Sequence, residues 1–372
     1  MQDKPKVALV CDWLTVFAGA ERVILELHEL YPEAPIYTTL YNPKKCPQFK
    51  NAVVHESRLG WIPGARYAHR IFFPLMPRAF ERMDLDEFDI VISSCHSASK
   101  GIITKPETLH ISYCHSPMRY VWDQSHQYQS QFEGFSRFKW LFKPILHKVR
   151  MWDRVASERV DRFIANSDYV AKRIQKYYGK PSTVIFPPVN LHKFTPGDEE
   201  KEEYYLAVGR FINYKRFDLI VSACAQMGRK LKLVGGGPEF KKLKRLGKDK
   251  VEFLGKLTDE ELRSTYRKAK ALIFPQAEDF GIVPLEAMAC GTPVIAYAKG
   301  GALETVKEDV SGLFFHDQDV DSLIEAIERF ESKKWDPKTV SESVEHFSSA
   351  RFKSEIRGFV EEAWKLHQKS LE

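Results

Sequence analysis

The chain has 372 residues, 44% of them hydrophobic, and carries a formal net charge of +6; this length allows two domains of ordinary size, each with its own core. Its six cysteines contain no Cys-x-x-Cys pair, and no apolar run reaches the roughly 18 residues of a spanning helix, which excludes a membrane span and points to a reduced cytoplasmic protein. The start, MQDKPKVALV, passes directly from polar residues into a strand, so no signal peptide is expected.

The first half alternates strand-like and helix-like segments. KVALVCDW reads as a strand, followed by a small-residue turn at Ala18-Gly19-Ala20 and the amphipathic helix ERVILELHELYP. Further strands read at APIYTTLY, DIVISSC, HISYCHS and RFIANS, with the helix DYVAKRIQKYYG after the last. Repetition of this βα unit predicts a parallel sheet covered by helices. Near VIFPPVNLHKFTPGD the periodicity breaks and then restarts at EYYLAVGRF, which places a domain boundary around residues 186 to 202. The expected division is 1–188, 189–350 and a closing helix over 351–372.

The second half repeats the pattern through YYLAVGRF, RFDLIVSACAQ, KLKLVGGGPE, VEFLGK, DEELRSTYRKA, ALIFPQ, PVIAYAKGG and GLFFHD, a second doubly wound α/β domain. Ligands of open parallel sheets bind beyond the carboxyl ends of the strands, so the loops at Gly209, Gly235, Gly255, Gly281 and Gly300 are the ones to watch. The final RFKSEIRGFVEEAWKLHQKS has the apolar spacing of a packed helix.

EDFGIVPLE carries two carboxylates, Glu278 and Glu286, with seven residues between them, where a buried strand turns into a helix. Unpaired N–H groups and the positive end of the helix dipole favour an anion there, and Gly281 lets a ligand approach the backbone. Diphosphate is the natural candidate. Arg210 and Lys215 in GRFINYKR follow the first strand of the same half; two such cations can pair with diphosphate oxygens, or merely keep a helix terminus soluble. LVGGGPE supplies a glycine turn at Gly236 but lacks the full G-x-G-x-x-G pattern and a P-loop Lys-Ser pair, which weakens a hydride-transfer or NTP-hydrolysis reading.

His115, at the end of HISYCHS, can hydrogen-bond a substrate hydroxyl or assist proton movement; a structural role, which His96 and His110 would share, is the alternative. No cluster has metal-ligand spacing, so no tightly bound metal is expected. Residues 137–154 carry six Lys or Arg against one Asp, interleaved with aromatics, and residues 61–82 add Arg66, Arg70, Arg78 and Arg82 around Phe72, Phe73 and Leu75. This mixture suits an anionic membrane surface or a lipid-linked substrate, or else a core-facing helix with a charged outer face. No nucleic-acid motif accompanies it.

The paired domains with GRFINYKR, LVGGGPE, FLGKL and EDFGIVPLEAMACGTPVIA resemble the retaining GT-B glycosyltransferases of family 4, over nearly the whole chain. The resemblance implies two Rossmann-like domains facing a central cleft and closed by a C-terminal helix. It places Glu278 against the donor sugar, Glu286 against the ribose, and the amides of Phe280, Gly281, Ile282 and Val283 against sugar and phosphate. Arg210 and Lys215 would neutralise the diphosphate, with Gly209 and Gly236 beside the donor. Lys256 and Leu257 would meet the base, His115 the donor sugar, and Gly19 the acceptor side, although Ala18 departs from the commoner Gly-Gly turn. YCHSPMRYVWD is similar to bacterial mannosyltransferases of O-antigen and exopolysaccharide assembly, which implies GDP-mannose and a glycan or polyprenyl-diphosphate-linked acceptor. A cytoplasmic enzyme with peripheral contact to the inner face of the cell membrane is the implied setting. A UDP-sugar transferase, a sugar-nucleotide epimerase of the same fold and an inert nucleotide-sugar-binding scaffold remain as alternatives.

Overall fold

The computed structural model describes residues 4–67, 69–123, 139–247 and 250–372, without the side chains of 69–71 and 139–143. Arg137 and Phe138 of the second basic stretch, and the side chains of Arg70, Trp140, Leu141 and Phe142, therefore lie outside the described residues. The chain divides into two compact units, one comprising Met1–Pro187 with Phe352–Glu372 and the other Pro188–Arg351.

The first unit is built on β1 (Val7–Cys11), β2 (Ile36–Thr38), β3 (Val54–Glu56), β4 (Ile90–Cys95), β5 (Leu109–Cys114), β6 (Arg162–Ala165) and β7 (Ser182–Val184). They form one parallel sheet in the order β3-β2-β1-β4-β5-β6-β7. Every residue of β4 and β5 is buried, as expected for strands covered on both faces. The three-residue edge strands β3 and β7 are too short and too polar for their hydrophobic pattern to announce them.

The helix Gly19–Leu30 covers one face through Val23, Ile24 and Leu27. Phe352, Ile356, Val360 and Ala363 of the long helix Ser349–Leu371 pack into that same cluster, where Phe352 meets Tyr113 edge-on at 5.9 Å. On the opposite face Met76, Phe80 and Met118 form a second cluster, against which Leu146 and Trp152 of the helix Lys139–Ala156 pack.

The second unit holds β8 (Tyr204–Arg210), β9 (Lys230–Gly236), β10 (Val251–Gly255), β11 (Ala271–Phe274), β12 (Val294–Tyr297) and β13 (Gly312–Phe315). Their order, β10-β9-β8-β11-β12-β13, is that of a dinucleotide-binding Rossmann sheet. The strand order reverses between β8 and β11, and a crevice opens at such a point beyond the strand ends. All six cysteines are buried and unpaired. Among the described residues no helix is long and apolar enough to cross a membrane.

Candidate functional site

The two central strands of the second sheet deliver the cations and carboxylates singled out above. β8 ends at Gly209 and the exposed Arg210, and the chain then makes a short turn, Asn213–Lys215, before the helix Phe217–Met227. β11 ends at Phe274 and runs on through Pro275 and Gln276 to Glu278. The two loops meet at their side chains: Lys215 Nζ lies 2.7 Å from Glu278 Oε1, with the side chains 13% and 24% exposed. The group assigned to the diphosphate and the group assigned to the sugar thus hold each other in this structure.

Both loops are braced from below. Arg216 adopts a left-handed conformation, φ 50°, which a non-glycine residue takes only when its surroundings impose it. Its guanidinium donates to the backbone oxygen and side-chain Oε1 of Gln318 at 3.2 and 3.3 Å, and Gln318 Nε2 donates to the Pro275 carbonyl at 2.7 Å. Gln318 therefore ties the Lys215 turn to the strand end that leads to Glu278. On the other side Gly301 N donates to the Glu278 carbonyl at 2.9 Å. A Cβ at Gly300 or Gly301 would run into the main chain of Glu278 or Phe280, so both positions must be glycine for the loop to lie where it does.

Past Glu278, Phe280 is buried and meets Phe347 edge-on at 5.7 Å, which leaves its backbone as the part available to a ligand. Gly281, at φ 86°, caps the helix Ile282–Ala289 without a side chain of its own. The Ile282 and Val283 amides at this helix start consequently have no side-chain cap. Pro284 follows in the first turn, and Gly291 at φ 76° lies just beyond the helix end.

Glu286 points into a buried position, 4% exposed, where Tyr266 donates its hydroxyl to Glu286 Oε2 at 3.2 Å. Tyr266 is itself fully buried against Phe194. Gly236 ends β9 on the solvent side with open space where a side chain would be. Lys256 is exposed and Leu257 half-buried just after β10, ahead of the helix Asp259–Lys268 and its Thr258/Glu261 capping box.

His115 follows β5 in the first unit, one strand away from that sheet's own reversal point between β1 and β4. Its Nε2 lies 2.8 Å from Ser94 Oγ. Burial, with His96 adding a like charge, pushes its pKa down to about 3, so the ring is neutral at physiological pH. A neutral ring can share a hydrogen bond, whereas shuttling a proton as an imidazolium would be costly there. His110 has the structural role allowed for it: it is fully buried, with Nε2 2.9 Å from Ser93 Oγ and Nδ1 3.3 Å from the Arg159 carbonyl, and burial lowers its pKa to about 4.

Gly19 begins the helix Gly19–Leu30 with nothing near its missing Cβ. The turn is held instead by Glu21, whose carboxylate accepts from Ala18 N at 3.0 Å, and burial raises the Glu21 pKa.

Sequence patterning does not single out Asp12, the residue immediately after β1. This carboxylate, 1% exposed, accepts four backbone N–H groups, from His96 and Ser97 at 2.8 and 2.9 Å and from Ala98 and Ser99 at 2.6 and 2.8 Å. His96 Nδ1 approaches it at 3.1 Å. The same 96–101 loop carries Lys100, buried against Asp153, to which Trp122 and Tyr178 also donate at 2.7 and 2.8 Å. Burial disfavours the Lys100 charge, but Asp153 beside it more than compensates and leaves its pKa above the ordinary value. An acidic residue directly after a central strand was the one available signal for Asp12. Nothing in the sequence marks Gln318 or Tyr266, which act from 102 and 20 residues away.

Among the described residues no three His, Cys, Asp or Glu side chains are grouped so as to hold a metal ion. The anion-binding means present are cations, amides and a helix start.

With this geometry in place the sequence relationships become specific. Residues 17–193 match the profile described as Glycosyltransferase Family 4, and residues 189–348 match Glycosyl transferases group 1. The chain belongs to the family 4 glycosyltransferases. Over 207 residues it is 30% identical to an uncharacterized glycosyltransferase of Methanocaldococcus jannaschii, covering 54% of this chain and 58% of that one. Over 203 residues it is 34% identical to a D-inositol 3-phosphate glycosyltransferase of Kribbella flavida, covering 46% and 48%. The chain thus spans about half the length of the curated relatives it matches.

Solved structures share the fold across nearly the whole chain. Sucrose-phosphate synthase of Thermosynechococcus elongatus superposes with a TM-score of 0.74 at 21% identity, covering 98% of this chain and 100% of that one. Anabaena HepE in complex with UDP-glucose does so with a TM-score of 0.70 at 17% identity, covering 96% and 100%. Both are GT-B glycosyltransferases, and the GT-B fold expected from sequence is the one found.

Proposed function

We propose that this chain is a retaining hexosyltransferase that moves a sugar from a nucleotide donor to a hydroxyl of a glycan or lipid-linked acceptor, with mannose from GDP-mannose as the first candidate and polysaccharide or O-antigen assembly as the setting. The observation that carries the reading is the meeting of Lys215 and Glu278 at the reversal point of the second sheet, beside an uncapped helix start. A sugar nucleotide brings its own leaving group, so the site must chiefly stabilise developing diphosphate charge and align the acceptor. In this reading Lys215, Arg210 and the Ile282 and Val283 amides take the diphosphate, while Glu278 takes sugar hydroxyls. Glu286, steadied by Tyr266, takes the ribose. Gly209, Gly236, Lys256 and Leu257 complete the donor side, and Gly19 faces the acceptor.

The bond between the anomeric carbon and the phosphate oxygen breaks as the acceptor oxygen attacks from the same face. The acceptor's proton passes to the leaving phosphate oxygen. His115 contributes as a neutral hydrogen-bonding group to the donor sugar, in keeping with its lowered pKa.

One observation favours a uridine donor: Anabaena HepE, which shares the fold, is seen with UDP and with UDP-glucose. Thermal-shift screening of GDP, UDP and their sugar conjugates separates the two, because a ligand at about 100 times its dissociation constant adds roughly 2.7 kcal/mol. Stabilisation by guanosine compounds supports the mannose reading, and a uridine preference replaces it with a UDP-sugar transferase. No response to any nucleotide overturns the donor site. Product analysis with donor alone would expose an epimerase, and saturable binding without transfer would indicate a scaffold.

Contact with an anionic membrane is part of the proposal. Trp61 and Tyr67 are 78% and 71% exposed, and the helix Lys139–Ala156 leaves Ile145, Met151 and Val155 in solvent while Val149 and Asp153 are buried. Co-sedimentation with anionic but not neutral liposomes is the expected result; equal binding to both removes the electrostatic component.

A further inference from the structure

We propose that the Lys215–Glu278 ion pair lets the enzyme tell a sugar nucleotide from a bare nucleoside diphosphate, with Glu278 as the discriminating residue. The inference rests on the donor-site reading above and adds to it an exchange of partners.

The pair does not have the form of a structural ion pair. Lys100 and Asp153 do have that form: they are closed off from solvent at 1% and 0% exposure and multiply bonded, with Trp122 and Tyr178 donating to the same carboxylate. Lys215 and Glu278 are partly open, on two loops whose main chains are held by bonds other than this pair. Gln318 links Arg216 to the Pro275 carbonyl, and Gly300 and Gly301 hold the main chain at Glu278. Breaking the contact therefore requires only side-chain motion. Both side chains keep some exposure, so a competing anion can reach the ammonium and take the place of the carboxylate.

A diphosphate carries more charge than Glu278 and also gains the helix-start amides, so it takes Lys215. The consequence for Glu278 depends on what else the ligand carries. If a sugar is attached, its hydroxyls replace the lost ammonium as hydrogen-bond donors to the carboxylate. If the ligand is the product, no sugar hydroxyl is present, and a carboxylate is left without its cation beside a polyanion. That like-charge contact is unfavourable and would return Lys215 to Glu278 as the diphosphate departs. The donor would thus be held and the product expelled by one pair of side chains.

Equilibrium titration of the full chain with GDP, UDP, GDP-mannose and UDP-glucose tests this, using wild type, Glu278→Gln and Glu278→Asp. Glu278→Gln keeps the shape and removes the charge; it should bind the preferred bare diphosphate roughly tenfold more tightly than wild type and lose the preference for the sugar-bearing form. Glu278→Asp keeps the charge but shortens the reach, and should bind the bare diphosphate no more tightly than wild type. An unchanged or weakened diphosphate affinity in Glu278→Gln overturns the exchange while leaving the donor site standing. Absence of any nucleotide binding to folded wild type overturns both. If Glu278→Gln fails to fold, a wild-type affinity for the bare diphosphate equal to that for the sugar nucleotide contradicts the proposal by itself.

Discussion

The two sheets share a topology up to their last strand, and each places a carboxylate in a loop at its reversal point, yet those carboxylates have opposite fates. Asp12 in the first unit is sealed at 1% exposure and saturated by four backbone amides of the 96–99 turn. Glu278 in the second keeps a quarter of its side chain in solvent and is held by the side chains of Lys215 at 2.7 Å and, more loosely, Gln276 at 3.4 Å. A carboxylate that accepts four main-chain N–H groups fixes a loop and has little capacity left for a ligand. One held by a flexible ammonium can trade that partner for another. The comparison shows that position in a Rossmann sheet nominates a site, and that the local hydrogen-bond complement decides whether it is scaffold or chemistry.

The strongest way to break this contrast is at Asp12. Asp12→Ala strands four backbone amides, three of them buried, and should cost about 3 kcal/mol or more of stability in urea unfolding, since each unsatisfied buried donor costs roughly 1 to 3 kcal/mol. Little loss of stability together with loss of transfer would make Asp12 part of the chemistry and erase the distinction. Lys215→Ala is the counterpart in the second unit. Steady-state kinetics should show kcat lowered about 100-fold or more, the scale of a lost transition-state donor, with a melting temperature near that of wild type because the pair is partly exposed.

A smaller effect probes the buried interior of the first unit. The folded-state pKa of His110, about 4, lies below its value in the unfolded chain, so the stability tied to its neutral ring is complete above about pH 6.5 and is lost as pH falls toward 4. Urea titrations at pH 7.5 and 5.0 should show wild type losing about 2 kcal/mol more than His110→Gln over that interval. Equal losses would mean that the buried ring is not the acid-sensitive group. The smallest expected change is at Tyr266→Phe, which removes the hydroxyl that steadies Glu286. Its donor KM should rise several-fold, about 1 kcal/mol, with kcat almost unchanged; a fall in kcat alone would assign Tyr266 elsewhere.

Much of the architecture was legible because parallel strands buried on both faces are written as continuous apolar runs: IVISSC and ALIF could hardly be read otherwise. The edge strands Val54–Glu56 and Ser182–Val184 were not, since three half-exposed residues carry no period. At the candidate site the sequence named the loops and their charged ends but not the contact between them. Lys215 and Glu278 are 63 residues apart and meet only through the pairing of β8 with β11. Gln318, which ties their loops together, lies 102 residues from Arg216 and 43 from Pro275, and its amide has no local signature. Asp12 was visible as an acid after a strand, but its meaning lay in the four amides of a turn more than 80 residues downstream.

A structure of the full chain with its preferred nucleoside diphosphate bound tests the central claim most directly. The account predicts the diphosphate beyond the ends of β8 and β11, with oxygens about 3 Å from Lys215 Nζ and from the Ile282 and Val283 amides, and the ribose against Glu286. A nucleotide bound instead at the Asp12 turn, or one that leaves Lys215 on Glu278, would contradict it.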